Sequence, residues 1–170
     1  MTKKISIVTP CYNEEFNVEP LYEKVKIEMA KLSNYTYEHI FIDNYSTDNT
    51  LLKLKSIASV DKNVKIIVNA RNFGHIKSPY YGMLQADGDV VISLVSDLQD
   101  PPELIPDFIK KWEEGYKIVV GVKEKSEENE EEKESEGEKE KEEKKEKESP
   151  YVSYNINFLL RDLLRKLYGA

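Results

Sequence analysis

The stretch ISIVTPCYNEE, residues 5–15, decides the fold because it joins a buried strand to a polar loop. Residues 5–9 are β-branched or small, which is typical of a strand, and Pro10 ends that strand. Asn17 is then placed to cap a helix that runs to about Lys31. A strand that leads directly into a helix predicts a layered α/β fold.

The same alternation continues to residue 122. Further strands are predicted at 39–42, 64–68, 90–95 and 118–122, separated by helices that run from caps at 46–48 to about 58, from 79 to 86 and from 101 to about 114. Short apolar strands between helices favour a mainly parallel sheet with helices on both faces. We therefore expect a Rossmann-like α/β fold whose ligands bind beyond the carboxyl ends of the strands.

The net charge of the chain comes from one segment. Lys and Arg number 25 against 32 Asp and Glu, which gives −7, and residues 124–148 alone hold 14 Glu and 7 Lys. The rest is therefore balanced and lacks the basic excess that binds nucleic-acid phosphates, which disfavours a nucleic-acid partner. Its ordinary apolar content also argues against a wholly disordered chain.

We predict three parts: an α/β domain at residues 1–123, an acidic low-complexity insert at 124–149 and an amphipathic C-terminal helix at 150–170. The insert is either a solvated coil or a single charged helix. The leucines of the last segment recur at helical spacing, with basic residues on other faces. That helix either packs on the sheet or a partner, or lies at a membrane surface.

The composition also predicts a compartment. Cys11 is the single cysteine, which fits a reducing environment. Nothing resembles a signal peptide, and no stretch approaches the roughly 20 apolar residues that cross a bilayer. We therefore expect a cytoplasmic protein, at most peripheral at the cytoplasmic face of the membrane.

Polar side chains that are suited to ligand binding follow the first two strands. Pro10 stiffens the turn after the first strand, Tyr12 offers an aromatic face and Glu14 offers a hydrogen-bond acceptor. Asp43 ends a strand that is otherwise apolar, where a carboxylate is able to accept the ring N–H of a pyrimidine or the amino group of a purine. These residues are candidates for a ligand site at the carboxyl edge of the sheet.

The loops after the third and fourth strands add further candidates. His75 is placed to touch a phosphate, whereas Arg71 either contacts the ligand or positions its own loop. Asp97 and Gln99 are oxygen donors two residues apart, which suits Mg²⁺ or Mn²⁺ bound together with waters and substrate phosphates. Asp100 is either a helix cap or a carboxylate available for acid–base chemistry.

Five segments, taken in order, resemble the family 2 glycosyltransferases with a GT-A nucleotide-diphospho-sugar domain. They are residues 5–15, 42–50, 71–74, 86–89 and 97–105. The resemblance is closest to the branch that includes dolichyl-phosphate mannose synthases and bacterial polyprenyl-phosphate glycosyltransferases. It covers the chain from Lys4 to about Lys123, and it implies a GT-A fold.

The resemblance also implies roles by position. Together with the loop positions above, it makes the expected donor-nucleotide contacts Pro10, Tyr12, Glu14, Asp43, Arg71, His75 and Ser96. The implied metal ligands are Asp97 and Gln99. The implied catalytic residues are Asp97 and, near an acceptor phosphate, Lys123. An alcohol acceptor needs a general base, for which a nearby carboxylate such as Asp100 or Glu103 is the candidate. His39, inside a strand, is expected to be a packed and hydrogen-bonded side chain.

Two positions depart from the family pattern. Val95 stands where the family usually has the first aspartate of Asp-x-Asp, and a valine does not bind metal. Asn44 stands where the family often has an aspartate. We therefore expect the metal to be held mainly by Asp97, Gln99 and the substrate phosphates.

The function implied by the resemblance is transfer of a sugar from a UDP- or GDP-sugar, with inversion, to a polyprenyl phosphate or another cell-envelope glycan acceptor. A divalent metal, Mg²⁺ or Mn²⁺, is the expected cofactor. The lipid-phosphate acceptor is expected at a membrane surface, and a second copy of the chain or a membrane protein is a further expected partner. The alternatives are a catalytically impaired nucleotide-sugar-binding domain and a domain that recruits a partner.

Overall fold

The computed structural model describes residues 2–122 and 153–159. Their helices and strands are, in chain order, β1 (Lys4–Cys11), α1 (Val18–Lys31), β2 (Thr36–Asp43), α2 (Thr50–Val60), β3 (Val64–Val68), α3 (Gly74–Leu84), β4 (Val90–Ser93), a 3-10 helix (Pro102–Leu104), α4 (Ile105–Glu113), β5 (Ile118–Val122) and β6 (Ser153–Leu159). The alternation of strands and helices expected up to residue 122 is confirmed. None of the helices in these ranges is long and apolar enough to cross a membrane.

The strands form one sheet in the order β3-β2-β1-β4-β6-β5. β1 lies between β2 and β4 and is parallel to both, and β2 is parallel to β3. β6 is antiparallel to β4. The carboxyl ends of the four parallel strands therefore meet at one edge, where the polar loops follow them. The expected mainly parallel sheet is confirmed.

Helices cover both faces of this sheet. On one face α1, α2 and α4 bury apolar side chains such as Leu21 and Ile105 against the strands. On the other face α3 lies directly over β1 and β2, because Gly82 has no side chain to hold the helix away. A Cβ at Gly82 would lie 3.0 Å from Cγ1 of Val8 and 3.1 Å from Cγ2 of Ile42. The expectation of helices on both faces is therefore also confirmed.

The last strand differs from the expectation of a helix that starts at residue 150. Ser153–Leu159 pairs with β4 through Ile92 and Phe158 and through Val91 and Leu159. The sequence SYNINFL alternates polar and apolar residues, and this period of two favours a strand over a helix. The acidic insert, the rest of the expected helix and Lys123 lie outside the described residues, so the three-part division stays a prediction.

Two ion pairs at the amino edge of the sheet share one buried carboxylate. Glu38 of β2 is 1% exposed, and its Oε2 lies 2.5 Å from Nζ of Lys65 and 3.2 Å from Nζ of Lys4. Burial alone raises the pKa of Glu38, but hydrogen bonds from Lys65, from Ser6 and from the backbone of Asp87 lower it to about 2. Glu38 is therefore ionised, and neighbouring cations balance its charge.

Residues 86–89 form one of the five segments that carry the resemblance, and the contacts of Gly88 show what this segment does in the fold. The N–H of Gly88 donates to Oγ of Ser6 at 2.9 Å. A Cβ at this position would lie 2.6 Å from the same oxygen and 2.9 Å from the carbonyl oxygen of Lys4, so a larger residue would displace β1. This segment therefore serves packing at the amino edge, at the opposite end of β1 from the polar loops.

His39 is the packed side chain that was expected. It is fully buried in β2, its Nε2 lies 2.9 Å from Oγ1 of Thr9, and its ring centre lies 3.9 Å from that of Phe41. Burial lowers the pKa of His39 to about 3, because the charged ring would lose its solvation. The imidazole is therefore neutral near pH 7.

Candidate active site

A cavity of about 720 Å³ opens at the carboxyl edge of the sheet, beside the ends of β1 and β4 and the first turns of α3. A volume of this order is typical of sites for small organic ligands. Polar and apolar side chains share its walls. The lining residues used below are Pro10, Cys11, Tyr12, Glu14, Asn44, Asn72, His75, Ile76, Val95, Ser96 and Asp97.

Several of the expected site residues line this cavity, and others do not. Those that line it are Pro10, Tyr12, Glu14, His75, Ser96 and Asp97. Four expected residues do not line it: Asp43 at the end of β2, Arg71 in the β3–α3 loop, and Gln99 and Asp100 in the loop after β4. Lys123 lies outside the described residues. The fold thus brings side chains from the end of β1 and its following loop, from the start of α3 and from the loop after β4 to one space.

Reciprocal hydrogen bonds join the β1–α1 loop to the β2–α2 loop. Asn13 has a left-handed backbone, with φ 57°, which turns the chain after β1. Its Oδ1 accepts the N–H of Thr47 at 2.8 Å, while its own N–H donates to Oγ of Ser46 at 2.9 Å. Two residues on, the N–H of Glu15 donates to Oδ2 of Asp48 at 3.1 Å. These bonds fix the loop that presents the aromatic and carboxylate side chains to the cavity.

Asparagine side chains join the β2–α2 loop to the β3–α3 loop. Nδ2 of Asn44 donates to Oδ1 of Asn72 at 2.9 Å and to the carbonyl oxygen of Gly74 at 3.3 Å. Oδ1 of Asn44 accepts from the N–H of Phe73 at 2.9 Å and from Nδ2 of Asn69 at 3.0 Å. An aspartate lacks the donor for the first two bonds, so an amide suits position 44. The sequence alone did not predict that these asparagines join the two loops. The one local indication was the position of amide side chains directly after the strand ends.

Asp43 and Arg71 make contacts that shape their own loops. Asp43 is 1% exposed, and both of its carboxylate oxygens lie 3.3 Å from the backbone nitrogen of Ser46, whose N–H they accept. The guanidinium carbon of Arg71 lies 4.9 Å from the ring centre of Phe73, which is within cation–π range. The base contact of Asp43 and the ligand contact of Arg71 stay predictions.

The loop after β4 presents a carboxylate at the rim of the cavity. Asp97 is exposed, and its Oδ1 accepts the N–H of Gln99 at 3.1 Å. Leu98 between them has a left-handed backbone, with φ 61°, that brings the two residues together. Ser96 and Val95 line the cavity on the strand side of Asp97. The Asp97 carboxylate is therefore held in place by the backbone of its own loop.

Asp100 is a buried carboxylate. It is 3% exposed, and its Oδ2 has no hydrogen-bond partner among the described residues. Burial raises the pKa of Asp100, and the negative charge of Asp97 raises it further. The N-cap of the 3-10 helix that follows is Pro101, which makes no side-chain hydrogen bond, so helix capping by Asp100 stays a prediction. The environment of Asp100 makes it a stronger base than an exposed aspartate.

Cys11 lines the same cavity but does not supply a reactive thiolate. It is 2% exposed. Burial raises the pKa of the Cys11 thiol well above its usual range, and the negative charges of Glu14, Asp43 and Asp48 raise it further. The thiol therefore stays protonated near neutral pH, and nucleophilic chemistry at this residue is disfavoured.

The oxygen donors fit a divalent metal that is shared with a substrate. Within residues 2–122, no three His, Cys, Asp or Glu side chains form a group that could hold a metal by themselves. Asp97 lines the cavity with one carboxylate, and Oε2 of the nearby Glu14 is engaged by Nδ2 of Asn17 at 2.7 Å. Mg²⁺ commonly binds one or two carboxylates together with waters and substrate phosphates. Asp97 fits such a shared ion, and the ligand role of Gln99 stays a prediction.

The sheet order and the polar cleft at the carboxyl ends of the strands define a Rossmann-like α/β domain, a class in which ligands bind at this edge. Residues 6–167 match the family described as glycosyl transferase family 2. The chain belongs to this family, as the five segments had indicated.

Two curated proteins illustrate its relatives. An uncharacterized glycosyltransferase of Bacillus subtilis (strain 168), YkcC, is 41% identical over 120 residues, which cover 71% of this chain and 37% of YkcC. The undecaprenyl-phosphate 4-deoxy-4-formamido-L-arabinose transferase of Proteus mirabilis (strain HI4320) is 41% identical over 128 residues, which cover 74% of this chain and 38% of that protein. The chain spans about two fifths of the length of these relatives.

Solved structures share the fold. A mannosyltransferase from Pyrobaculum calidifontis, in complex with GDP-Man and Mn²⁺, aligns with a TM-score of 0.61 and 18% identity over 72% of this chain and 36% of that chain. The glucosyl-3-phosphoglycerate synthase of Mycobacterium tuberculosis, in complex with Mn²⁺, UDP and phosphoglyceric acid, aligns with a TM-score of 0.52 and 25% identity over 69% of this chain and 42% of that chain. The expected GT-A fold is confirmed.

Proposed function

We propose that this chain transfers a sugar from a nucleotide-diphosphate donor, with inversion at the anomeric carbon, to a polyprenyl phosphate or another cell-envelope glycan acceptor. The observation that carries the proposal is that one cavity is lined by Tyr12 of the β1–α1 loop, His75 of the first turn of α3 and Asp97 of the loop after β4. The Proteus mirabilis relative is by name an undecaprenyl-phosphate transferase, which supports a polyprenyl-phosphate acceptor.

The nucleoside of the donor fits the side of the cavity formed by the β1–α1 loop. Tyr12 is 47% exposed and offers a ring face for stacking, and Pro10 adds an apolar wall. Asp43, at the end of the neighbouring β2, supplies the carboxylate for N–H groups of the base. The diphosphate then lies toward His75 at the start of α3, where backbone N–H groups favour an anion.

The diphosphate end of the donor is assigned to the loop after β4. When bound at Asp97 and Gln99, Mg²⁺ or Mn²⁺ supplies Lewis-acid stabilisation of the charge that develops on the leaving diphosphate. Ser96 lines the cavity next to Asp97 and offers a hydroxyl to the same oxygens. Val95 adds an apolar wall in place of a second carboxylate, so donor phosphates and waters would complete the shell of a bound ion.

In the proposed reaction, an acceptor oxygen forms a bond to the anomeric carbon as the bond from that carbon to the diphosphate breaks. The electron pair of the broken bond stays on the diphosphate, and the sugar passes through an oxocarbenium-like transition state. Attack on the face opposite the leaving group inverts the configuration. Because a phosphate acceptor is already an anion, it needs nearby positive charge rather than a general base.

Lys123 is the residue proposed to hold an acceptor phosphate, and it follows the end of β5 at Val122 directly. An alcohol acceptor has different needs, because its hydroxyl must lose a proton during attack. Asp100 is the proposed base for that case, since its pKa is raised by burial and by the charge of Asp97.

Parallel measurements of sugar transfer and donor hydrolysis test the proposal. With a UDP- or GDP-sugar, Mn²⁺ and a polyprenyl phosphate, we expect sugar to appear on the lipid. Asp97→Asn should lower transfer by about 100-fold or more, because it removes stabilisation of the leaving group. Asp107→Asn, at an exposed position of α4, should keep the wild-type rate. Lys123→Ala should lower transfer more than it lowers donor hydrolysis.

A second candidate function is binding of a nucleotide sugar without turnover. Val95 favours it, because an apolar side chain lines the cavity where the family pattern has a metal-binding aspartate. Binding of UDP- or GDP-sugars together with a complete lack of transfer and hydrolysis would support this candidate over the enzyme.

A further inference from the structure

Helix α3 presents apolar side chains on its outward face. It packs on the sheet through the buried Ser78 and Gly82. On the other side, Phe73 directly before the helix is 40% exposed, Ile76 is 71% exposed and Tyr81 is 49% exposed. Single exposed apolar side chains are ordinary on protein surfaces, but several together mark an interaction site.

The spacing places these side chains on one continuous surface. Phe73, Ile76 and Lys77 stand at i, i+3 and i+4, which makes them neighbours, and Tyr81 follows Lys77 by one helical turn. Phe73, Lys77 and Tyr81 also line a shared cavity of about 280 Å³. We call Phe73, Ile76, Lys77 and Tyr81 the α3 outer face.

The charge around the α3 outer face is opposite to that of the whole chain. Residues 69–86 contain Arg71 and Lys77 but no Asp or Glu, whereas the chain carries −7 overall. Both cations are exposed. None of the ion pairs between described residues involves Lys77. The surface is therefore complementary to a partner that is both anionic and apolar.

We propose that the α3 outer face docks on an anionic lipid surface. Its three apolar side chains then lie at the boundary between headgroups and acyl chains, while Lys77 and the adjacent Arg71 lie against lipid phosphates. The contact places the membrane beside the candidate active site, because Ile76 also lines the larger cavity. The inference goes beyond the proposed function and does not depend on sugar transfer.

A lipid surface suits this face better than the acidic segment of the same chain. Residues 124–148 would neutralise the two cations, but they contain no hydrophobic side chain to cover the apolar ones. An anionic bilayer offers phosphates in the headgroup layer and acyl chains directly beneath them, and therefore satisfies both components of the surface.

Co-sedimentation with vesicles tests the docking of the full chain in the absence of nucleotide. We expect binding to vesicles of phosphatidylcholine mixed with phosphatidylglycerol, and much weaker binding to phosphatidylcholine alone. Lys77→Glu and Tyr81→Ser should each lower the partition coefficient by about tenfold. The matched changes Lys55→Glu and Leu52→Ser, at exposed positions of α2, should leave it unchanged.

The proposal is overturned if both α3 variants bind vesicles as tightly as the wild type does. It is also overturned if the matched α2 variants lose as much vesicle binding as the α3 variants. The proposal is also overturned if the wild-type chain binds neither kind of vesicle. This holds even if a variant that lacks residues 124–148 does bind them. Titration of the same variants with UDP or GDP and Mn²⁺ separates the two proposals. If the wild type binds nucleotide normally but does not bind vesicles, only the docking proposal is refuted. If it binds vesicles but not nucleotide, only the proposed function is refuted.

Discussion

Nδ2 of Asn44 lies 2.9 Å from Oδ1 of Asn72, and this hydrogen bond ties the loop after β2 to the loop after β3. The same Oδ1 of Asn72 accepts the N–H of Gly74 at 2.7 Å at the start of α3. Asn44 and Asn72 both line the larger cavity. The amide pair therefore sets the position of α3 at the edge of the cleft.

Asn44→Asp should destabilise the fold, although it changes the side chain by one group. The carboxylate cannot donate to Asn72 or to the carbonyl oxygen of Gly74, and it places negative charge beside both acceptors. We expect the free energy of unfolding to fall by about 1–3 kcal/mol, measured by urea denaturation. Asn34→Asp, at an exposed turn before β2, is the control and should stay near wild type. Equal stability of the two variants would show that the network is unimportant.

Gly88→Ala should destabilise the amino edge of the sheet. The added Cβ would lie 2.6 Å from Oγ of Ser6 and 2.8 Å from its backbone nitrogen, so β1 must shift. We expect a loss of about 1–3 kcal/mol or more in the free energy of unfolding, measured by thermal and urea denaturation. Gly115→Ala meets open space and carries only the strain of its φ of +99°, so it should cost less. The reverse order of the two losses would contradict the packing described for Gly88.

His39 makes stability depend on pH. Burial lowers its pKa in the folded state from 6.5 to about 3, so the unfolded chain takes up a proton below pH 6.5 that the folded chain does not. The contribution of the neutral ring to the free energy of unfolding is therefore complete above pH 6.5. It falls as the pH is lowered toward 3, by up to about 1.4 kcal/mol per pH unit.

His39→Gln should flatten this dependence when the free energy of unfolding is measured between pH 4 and 7. His75→Gln is the matched control, because His75 is the other histidine of the chain and is exposed. A slope that changes in the His75 variant and persists in the His39 variant would refute the assignment.

Local patterns predicted most of the fold, because buried strands and capped helices leave clear periodicities. β6 was not predicted because two patterns adjoin there. The leucines that follow it recur at helical spacing, and this pattern outweighed the alternation of polar and apolar residues at 153–158. That strand also pairs with β4, which lies some 60 residues earlier, and such long-range pairing leaves little local signal. The start of α3 at Gly74 was missed because Pro79 was expected near its first turn.

The loops of the candidate site were predictable, but the direction of each side chain was not. The carboxyl ends of parallel strands meet at one edge, so the loops that contain Tyr12 and Asp97 could be placed together from the sequence. Burial of Asp100 and the turn formed by Asp43 depend on tertiary contacts. The role of Asn44 depends on partners in another loop, which no local pattern reveals.

Val95→Asp should raise the affinity of the free protein for Mn²⁺. A second carboxylate in the cavity, near Asp97, supplies a ligand that the wild type must obtain from the donor phosphates. We expect Mn²⁺ affinity without nucleotide to rise by about tenfold, measured by electron paramagnetic resonance of free Mn²⁺. Val60→Asp, at an 81% exposed position of α2, should not change it. An unchanged affinity in Val95→Asp would place the metal elsewhere.

The central claim is that the cavity binds a nucleotide diphosphate and its metal through Asp97, and calorimetric titration of UDP and GDP with Mn²⁺ tests it most directly. The account predicts binding by the wild type and by Asp107→Asn, with a loss of at least about tenfold in Asp97→Asn. Without metal, the three proteins should bind the nucleotide alike. Equal affinity of the wild type and Asp97→Asn in the presence of Mn²⁺ would contradict the account.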